Sequence, residues 1–322
     1  MTKYIIKRVL LLIPTVLGII LVLFILLYTF PTSTISRMPI HRGDDALDSL
    51  FSFLNAKTNI VTQYVRYCYN IIVHYDFGPQ SGMQRNIANE LTARLRSCLS
   101  LLGMGVGATL IIGIPLGVYT AVNKDSKRDR IINVIILFFS AIPNFTIAFL
   151  LTLFLCVYLR VLPLIPSYTQ PIAYVLPALT LSVGGIASIA RMTRTSMIEA
   201  LGQPFVTALA SKGLRESAVI YKHALKNALI PIISALGVLI SQLLFGTLVV
   251  EYFFNIQGLG TYMLRAINSR ANFEILGTAV VLTIVLAVTN LASDVLYAFV
   301  NPRIRLQYGK TDEVKMEKEA EA

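Results

Sequence analysis

The chain has 322 residues, of which 55% are hydrophobic and 14% are charged. Soluble domains carry about 25% charged residues, so this composition excludes an ordinary soluble protein and indicates a membrane protein. The net charge is +11, but the basic residues do not gather on a face with interleaved aromatic residues, so they favour membrane topology over nucleic-acid binding.

The patterns of cysteine, histidine and nucleotide-binding motifs predict no cofactor. Cys68, Cys98 and Cys156 are an odd number without CxxC spacing, and the three histidines are scattered, so neither a disulfide framework nor a metal site is expected. The chain has no phosphate-binding loop of the form GxxxxGK followed by Ser or Thr, and no Ser/His/Asp or paired-carboxylate arrangement. We therefore expect no catalytic residues, no metal and no enzyme activity.

Six apolar runs are long enough to cross a hydrocarbon core, which takes about 20 helical residues. Helices are expected because backbone polar groups in lipid must be bonded within their own segment. The sequence therefore predicts an all-α integral membrane protein with six spans, which are approximately Val9–Phe30, Cys98–Val122, Ile131–Leu159, Ile172–Ala190, Ala228–Val250 and Ile275–Val300.

The first run follows Lys3, Lys7 and Arg8, an arrangement that resembles a signal peptide. It is longer than a signal h-region, and Phe30-Pro31 follows it in place of a small-x-small cleavage site. We interpret it as a retained helix.

Lysine and arginine collect in two of the short connections and predict the orientation. The connection 123–130 (NKDSKRDR) and the connection 191–227 are basic, whereas the connection 161–171 has no charge. Arg303, Arg305 and Lys310 follow the last run. The N-terminus, both basic connections and the C-terminus are therefore expected on the cytoplasmic side of a bacterial inner membrane.

The runs divide the chain into four parts. The first span occupies 1–30, an outer segment 31–97, the main membrane domain 98–306 with a cytoplasmic loop at 191–228, and a polar tail 307–322. The outer segment includes a helix-like stretch at 60–73, for which the bilayer surface and a partner protein are both possible packing surfaces.

A short helix is predicted within the second basic connection. Pro204 is suited to the first helical position and Gly213 to the residue after the last one. A second helix is expected from about Arg215 to Leu229, before Pro231 opens the fifth span.

Three surfaces compete to cover the apolar residues of the short helix. Membrane-surface helices usually have a strong basic face, and this one has only Lys212. The second surface is the chain's own helices. The third is a groove on a separate soluble protein. Small residues such as Ala208 and Ala210 would allow the helix and the groove to approach closely.

The run EALGQPFVTALASKGLRESAVIYKHALKNALIP, residues 199–231, resembles the coupling loop of ABC importer permeases. It is most similar to the peptide, dipeptide and nickel importer family in SKGL (211–214) and HALKNALIP (223–231). Motifs along the chain extend the resemblance: IKRVLLLIP at 6–14, IPNF at 142–145, GLG at 258–260 and NLASDVLYAFVNPRIR at 290–305. The short helix is less polar than the family pattern, since Pro204, Thr207 and Ala210 replace charged residues.

The resemblance implies a type I ABC importer permease fold and a permease subunit for oligopeptides or dipeptides. It also implies partners: two cytoplasmic ATPase subunits, a second paralogous permease and an extracytoplasmic peptide-binding protein. The cargo is left open among oligopeptides, dipeptides, glutathione-like peptides and nickel chelates. The residues implied to couple the chain to the ATPase are Glu199, Pro204, Phe205, Ala208, Leu209, Ala210, Ser211, Lys212, Gly213 and Leu214.

A second set of residues is predicted to face the binding protein or the transport pathway. Glu251, the GLG hairpin and the arginines after it are expected on the outer face, where a solvated loop is the alternative. Asn144 follows a helix interruption, and Asp294 is an ionisable residue in an apolar run, for which structural pairing is the alternative. The set is Glu251, Gly258, Gly260, Arg265, Arg270, Asn144 and Asp294.

An ion-driven secondary transporter is the rival from another class. Such transporters usually have inverted repeats and broken helices near the midplane, and neither is visible in the sequence. A membrane-bound sensor or scaffold is disfavoured because no soluble signalling domain is visible.

Overall fold

The computed structural model describes residues 2–29, 60–78, 87–162, 171–269 and 271–300. In these ranges the α- and π-helical residues form ten helices, and the described residues contain no strand. The helices are α1 Thr2–Thr29, α2 Ile60–His74, α3 Ile87–Val122, α4 Lys127–Ala141, α5 Asn144–Tyr158, α6 Val175–Leu201, α7 Pro204–Ser211, α8 Glu216–Phe253, α9 Leu259–Ser269 and α10 Asn272–Val300.

Four of these helices are long and apolar enough to cross a membrane, namely α3, α6, α8 and α10, and α4 with α5 makes a fifth if the bent pair is one span. The described apolar part of α1, Leu10–Leu26, is shorter than the other spans. The all-helical membrane architecture is therefore confirmed. The count of six spans and the side of the termini stay predictions.

The third predicted span, Ile131–Leu159, is not one straight helix. Helices α4 and α5 meet at 109°. Ile142 is extended at φ −83° and ψ 130°, and Pro143 is extended at φ −61° and ψ 144°. Because a proline disfavours the helical conformation of the preceding residue, these two residues end α4 and redirect the chain.

The helix predicted at Arg215 to Leu229 and the fifth span form one continuous helical segment, so the prediction that Pro231 opens a new helix was wrong. Helix α8 contains a π-helical turn at Val219–Ala224 and continues through Pro231 to Phe253. Neighbouring turns can compensate for the missing proline donor in a membrane helix.

The helix predicted at 60–73 is confirmed as α2, and its buried face packs on α1; its position on the outer side stays a prediction. The hydroxyl of Tyr64 donates to the carbonyl of Leu17 at 2.8 Å, and the ring of Tyr64 meets that of Phe24 edge-on, with centroids 6.1 Å apart. Helix α3 begins at Ile87, so the end of the predicted outer segment is a helical extension of the second span.

The structure separates into two compact units. One contains most of α1, then α2, the start of α3, α9 and the first part of α10. Its core includes Tyr67, Phe77, Leu91 and Leu259, each at most 2% exposed. In this unit a Cβ on Gly277 would lie 3.2 Å from a methyl group of Leu91.

The second unit contains residues 101–253 and the end of α10. Its helices approach closely at small residues. A Cβ on Gly117 of α3 would lie 2.5 Å from the carbonyl oxygen of Ala190 on α6, and a Cβ on Gly185 of α6 would lie 2.7 Å from the hydroxyl of Thr109. Small residues are the usual means of packing helices in lipid, where apolar surfaces gain little by leaving the solvent.

We predict that Gly117→Ala lowers the thermal unfolding midpoint of the detergent-solubilised protein, because the added methyl group meets the backbone of α6 and overpacking costs about 1–3 kcal/mol. Gly107→Ala is the matched control on the same helix, since nothing lies within 4 Å of its Cβ position. Equal midpoints for both variants would contradict the close approach of α3 and α6.

Candidate functional site

Helix α7 begins as the sequence predicts. Gln203 precedes it in an extended conformation, with φ −79° and ψ 147°, and Pro204 occupies the first turn. The backbone N–H of Val206 donates to the carbonyl of Gln203 at 3.0 Å. Proline has no N–H to leave unbonded at this position, and its fixed φ matches a helix.

The other end of α7 closes in a Schellman motif. Gly213 has φ +80°, its N–H donates to the carbonyl of Ala210 at 2.9 Å, and the N–H of Leu214 donates to that of Leu209 at 3.4 Å. These two bonds satisfy carbonyls that a helix end otherwise leaves free. The predicted helix from Pro204 to Gly213 is thus confirmed, with Ser211 as its last regular residue.

No residue of α7 is buried. The side chains of Phe205, Val206 and Leu209 are half-buried, and the others are exposed, as are the flanking Lys212 and Gly213. Among the described residues, α7 packs mainly on the π-helical turn of α8. The helix therefore presents an apolar, nearly uncharged surface that the described part of the chain leaves open.

Both ends of the loop that carries α7 are attached to one apolar core. We call it the anchor core; it joins the last turns of α3 and α6 to the first turns of α8. The half-buried Ile198, Leu201 and Leu225 pack against it. Its buried residues are Val118, Ala121, Met197, Ala200, Ile220, Ala224 and Ala228.

An ion pair lies next to the anchor core. Arg194 of α6 donates from Nε to Oδ1 of Asp129 at 2.9 Å and from an Nη to Oδ2 at 2.7 Å. Asp129 also accepts from the amide of Asn133 at 2.6 Å and from the backbone N–H of Asp125 at 3.2 Å. Asp129 is 2% exposed, so these bonds replace most of the contact of its carboxylate with water.

The sequence predictions did not include this pair among the functional residues. A local signal was present: Ser126-Lys-Arg-Asp129 has the spacing of a capping box. Ser126 does cap α4 and accepts from the N–H of Asp129 at 3.1 Å. The partner, Arg194, is 65 positions away in sequence, and no local pattern identifies it.

The remaining coupling residue, Glu199, is exposed in the last turns of α6. Residues Glu199 and Pro204–Leu214 thus lie on one short, accessible stretch, whereas the residues that hold it are buried.

The predicted outer-face residues have different environments. Glu251 is fully buried at the end of α8. Gly258 and Gly260 are buried at the start of α9, and Arg265 on that helix is exposed. Arg270 lies outside the described residues.

Helix α9 is held by Tyr262, which follows the GLG sequence. The guanidinium of Arg94 lies 4.4 Å from the centre of the Tyr262 ring, and Arg94 pairs with Glu90 at 2.9 Å. Burial raises the pKa of Tyr262, so the phenol stays neutral beside the cation. The hairpin is therefore fixed by a cation–π contact that the sequence did not predict.

Asn144 and Asp294 lie in the unit of residues 101–253 and the end of α10. The amide nitrogen of Asn144 lies 3.3 Å from the Cβ position of Gly246 on α8, so it packs between helices. Asp294 is half-buried on α10. Asn290, one turn earlier, packs with its Oδ1 3.0 Å from the Cβ position of Gly237 on α8.

These features define a multi-pass helical membrane protein with an exposed helix carried on a buried support. Residues 113–306 match the family described as binding-protein-dependent transport system inner membrane component. The chain belongs to this family of transport permeases.

Relatives match over nearly the full length. The chain is 34% identical to the dipeptide transport system permease protein DppB of Bacillus subtilis over 95% of this chain and 99% of that one. It is 31% identical to the glutathione transport system permease protein GsiC of Pectobacterium atrosepticum over 95% and 99%, and 31% identical to the oligopeptide transport system permease protein AppB of Bacillus subtilis over 94% and 99%.

A solved structure shares the fold. It is the MetNI methionine ABC transporter in inward-facing conformations, with a TM-score of 0.53 and 21% identity, covering 64% of this chain and 95% of that one.

We predict that Gly213→Val exposes the loop to trypsin at Lys212 and Arg215, because a β-branched residue at φ +80° costs about 1–2 kcal/mol. Nothing lies within 4 Å of the Cβ position, so the strain is in the backbone alone. The expected cleavage rate in detergent is about tenfold higher than in the unmodified protein.

Gly213→Asn is the control, since asparagine adopts the left-handed conformation more readily. Its cleavage rate should stay near that of the unmodified protein. Equal rates for the Val and Asn variants would show that the Schellman motif does not hold the end of α7.

Proposed function

We propose that this chain is the permease subunit of an ATP-driven importer for peptides. It crosses the cell membrane beside a second paralogous permease, receives cargo from an extracytoplasmic binding protein, and is driven by two ATPase subunits in the cytoplasm. The chain itself hydrolyses nothing.

The observation that carries this proposal is the exposed helix α7 on its buried support. An apolar helix with no buried residue needs a surface to cover it in water. Its only basic neighbour at the end is Lys212, which argues against the headgroup region of a membrane. The surface that best fits is a groove on the ATPase, with Ala208 and Ala210 at the closest approach.

The geometry suits transmission of movement. Helix α7 has eight residues and is about 12 Å long. Its backbone is bonded at both ends, so it does not stretch when pushed. Movement of the ATPase groove would therefore reach α6 and α8 through the anchor core, which holds both chain ends of the loop.

The proposed topology has six spans with both termini in the cytoplasm. Helix α1 supplies the first span, and the bent pair α4 and α5 supplies the third. The basic connections at 123–130 and 191–227 lie on the cytoplasmic side, which puts α7 where the ATPase is.

Peptides are the proposed cargo because three relatives matching nearly the whole chain are named for dipeptide, oligopeptide and glutathione transport. A nickel chelate is the alternative within the family. An ion-driven mechanism has no support, since the family is one of binding-protein-dependent systems.

We predict that Ala208→Cys, in the complex assembled with its ATPase subunits, cross-links to an ATPase subunit through benzophenone maleimide, whose maleimide adds to the introduced thiol and whose photoactivated ketone inserts into a C–H bond of the neighbouring protein. The three native cysteines are buried, so the introduced thiol reacts first. The products are identified by gel shift and mass spectrometry.

Val238→Cys is the matched control, because Val238 is 63% exposed in the apolar part of α8 and should face lipid. Adducts of Ala208→Cys with this same chain alone, in a complex that hydrolyses ATP, would overturn the proposed role of α7.

A further inference from the structure

We propose that Asp129 and Arg194 are positioning residues for transport: their ion pair makes α4 move together with the α6 end of the loop that carries α7. The inference rests on the proposed function and adds a third helix to those driven by the ATPase. The broken pair α4 and α5 then receives movement directly, instead of following α6 passively.

The bonding of Asp129 supports a rigid joint. Its two oxygens accept from two guanidinium nitrogens of Arg194, from the amide of Asn133 and from the backbone N–H of Asp125, at 2.6 to 3.2 Å. A bidentate arginine–carboxylate pair fixes orientation as well as distance. Removal of Arg194 takes away both guanidinium bonds and leaves the Asp129 carboxylate without its cation.

An apolar core also joins α4 to α6. The small core between them consists of Ile136, Ala187 and Ala190, with Ile132 and Leu116 packed against it. Other apolar side chains on α4 are exposed: Ile131, Val134, Leu137 and Phe138 are each 52% to 65% exposed. The ion pair adds a polar attachment at the first turn of α4, apart from this apolar core.

The position of the pair gives it an effect on the rest of the unit. Arg194 precedes α7 by ten positions, and Met197 and Ala200 of the anchor core lie between them in sequence. Asp129 lies in the first turn of α4, which ends at the 109° bend before α5, and Asn144 at the start of α5 packs at Gly246 of α8. Displacement of Arg194 would thus act on the first turn of α4 and, through α4, on the bend before α5.

If the pair has only a structural role, its removal changes only the amount of complex that assembles. The test therefore measures how tightly cargo import is coupled to ATP hydrolysis. The complex is reconstituted in liposomes with its ATPase and binding-protein partners, and the number of cargo molecules imported per ATP hydrolysed is determined. We expect Arg194→Ala to lower this ratio at least about fivefold, the lower end of typical coupling energies, with the Ala208→Cys cross-link retained.

The exchange Asp129→Arg with Arg194→Asp should recover part of the ratio, since it restores an ion pair between the same helices. Arg130→Ala is the control for loss of a positive charge, because Arg130 is exposed beside Asp129 and should leave the ratio unchanged. If Arg194→Ala does not assemble, Arg194→Lys keeps the charge without the bidentate geometry and should give an intermediate ratio.

If the number of cargo molecules imported per ATP in Arg194→Ala equals that of the unmodified complex, the inference is overturned. If the alanine variant does not assemble, the same result in Arg194→Lys overturns it. So would uptake and hydrolysis falling together in proportion to the amount of complex. If Ala208→Cys in the otherwise unmodified chain forms no cross-link to an ATPase subunit, the proposed function is overturned instead.

Discussion

The anchor core is the constraint on which the account of this protein depends. A loop with an uncovered apolar helix is useful as a mechanical joint only if its ends are fixed. Met197 on α6 and Ala224 on α8 are fully buried in the same cluster, although 27 positions of chain separate them. Truncating a buried methionine usually costs about 2–5 kcal/mol, so this cluster resists separation of the two helices.

In this unit the helices are held in place by two kinds of contact, which are close packing at glycines and bonds between polar groups. Within the apolar parts, α3 and α6 approach until Gly117 leaves no room for a methyl group. Hydrogen bonds hold the backbone elsewhere. The Schellman motif closes α7, and the ion pair of Asp129 and Arg194 attaches α4 to α6. The contrast follows from the surroundings, since packing of small residues works in lipid and buried charges need complete partners.

The sequence predicted the elements whose determinants are local. Pro204 and Gly213 determine the conformation of their own backbone, so the bounds of α7 were predictable. The apolar runs predicted the positions of the long helices. The 109° bend was foreseen only as an interruption, because Pro143 does not set an angle by itself. The continuity of α8 through Pro231 was missed, since tolerance of a proline depends on neighbouring turns. The pairing of Asp129 with Arg194 was missed because it is set by the packing of α4 on α6.

The candidate site was predictable to a similar extent. The residues of the exposed stretch came from its motif, whereas the supporting residues did not, because burial of Ile220 or Ala224 becomes visible only once three helices meet. The start of α9 gives a further example: Tyr262 and Arg94 make their contact from two helices that are far apart in the chain.

Rigid transmission is tested most directly by the distance between α7 and α3 during turnover. Nitroxide labels at Ser211→Cys and Val122→Cys, both exposed positions, report this distance by pulsed electron paramagnetic resonance in the assembled complex. The account predicts the same distance distribution with and without bound nucleotide while ATP is hydrolysed and cargo is imported. A nucleotide-dependent shift as large as one helical turn, about 5.4 Å, would contradict it.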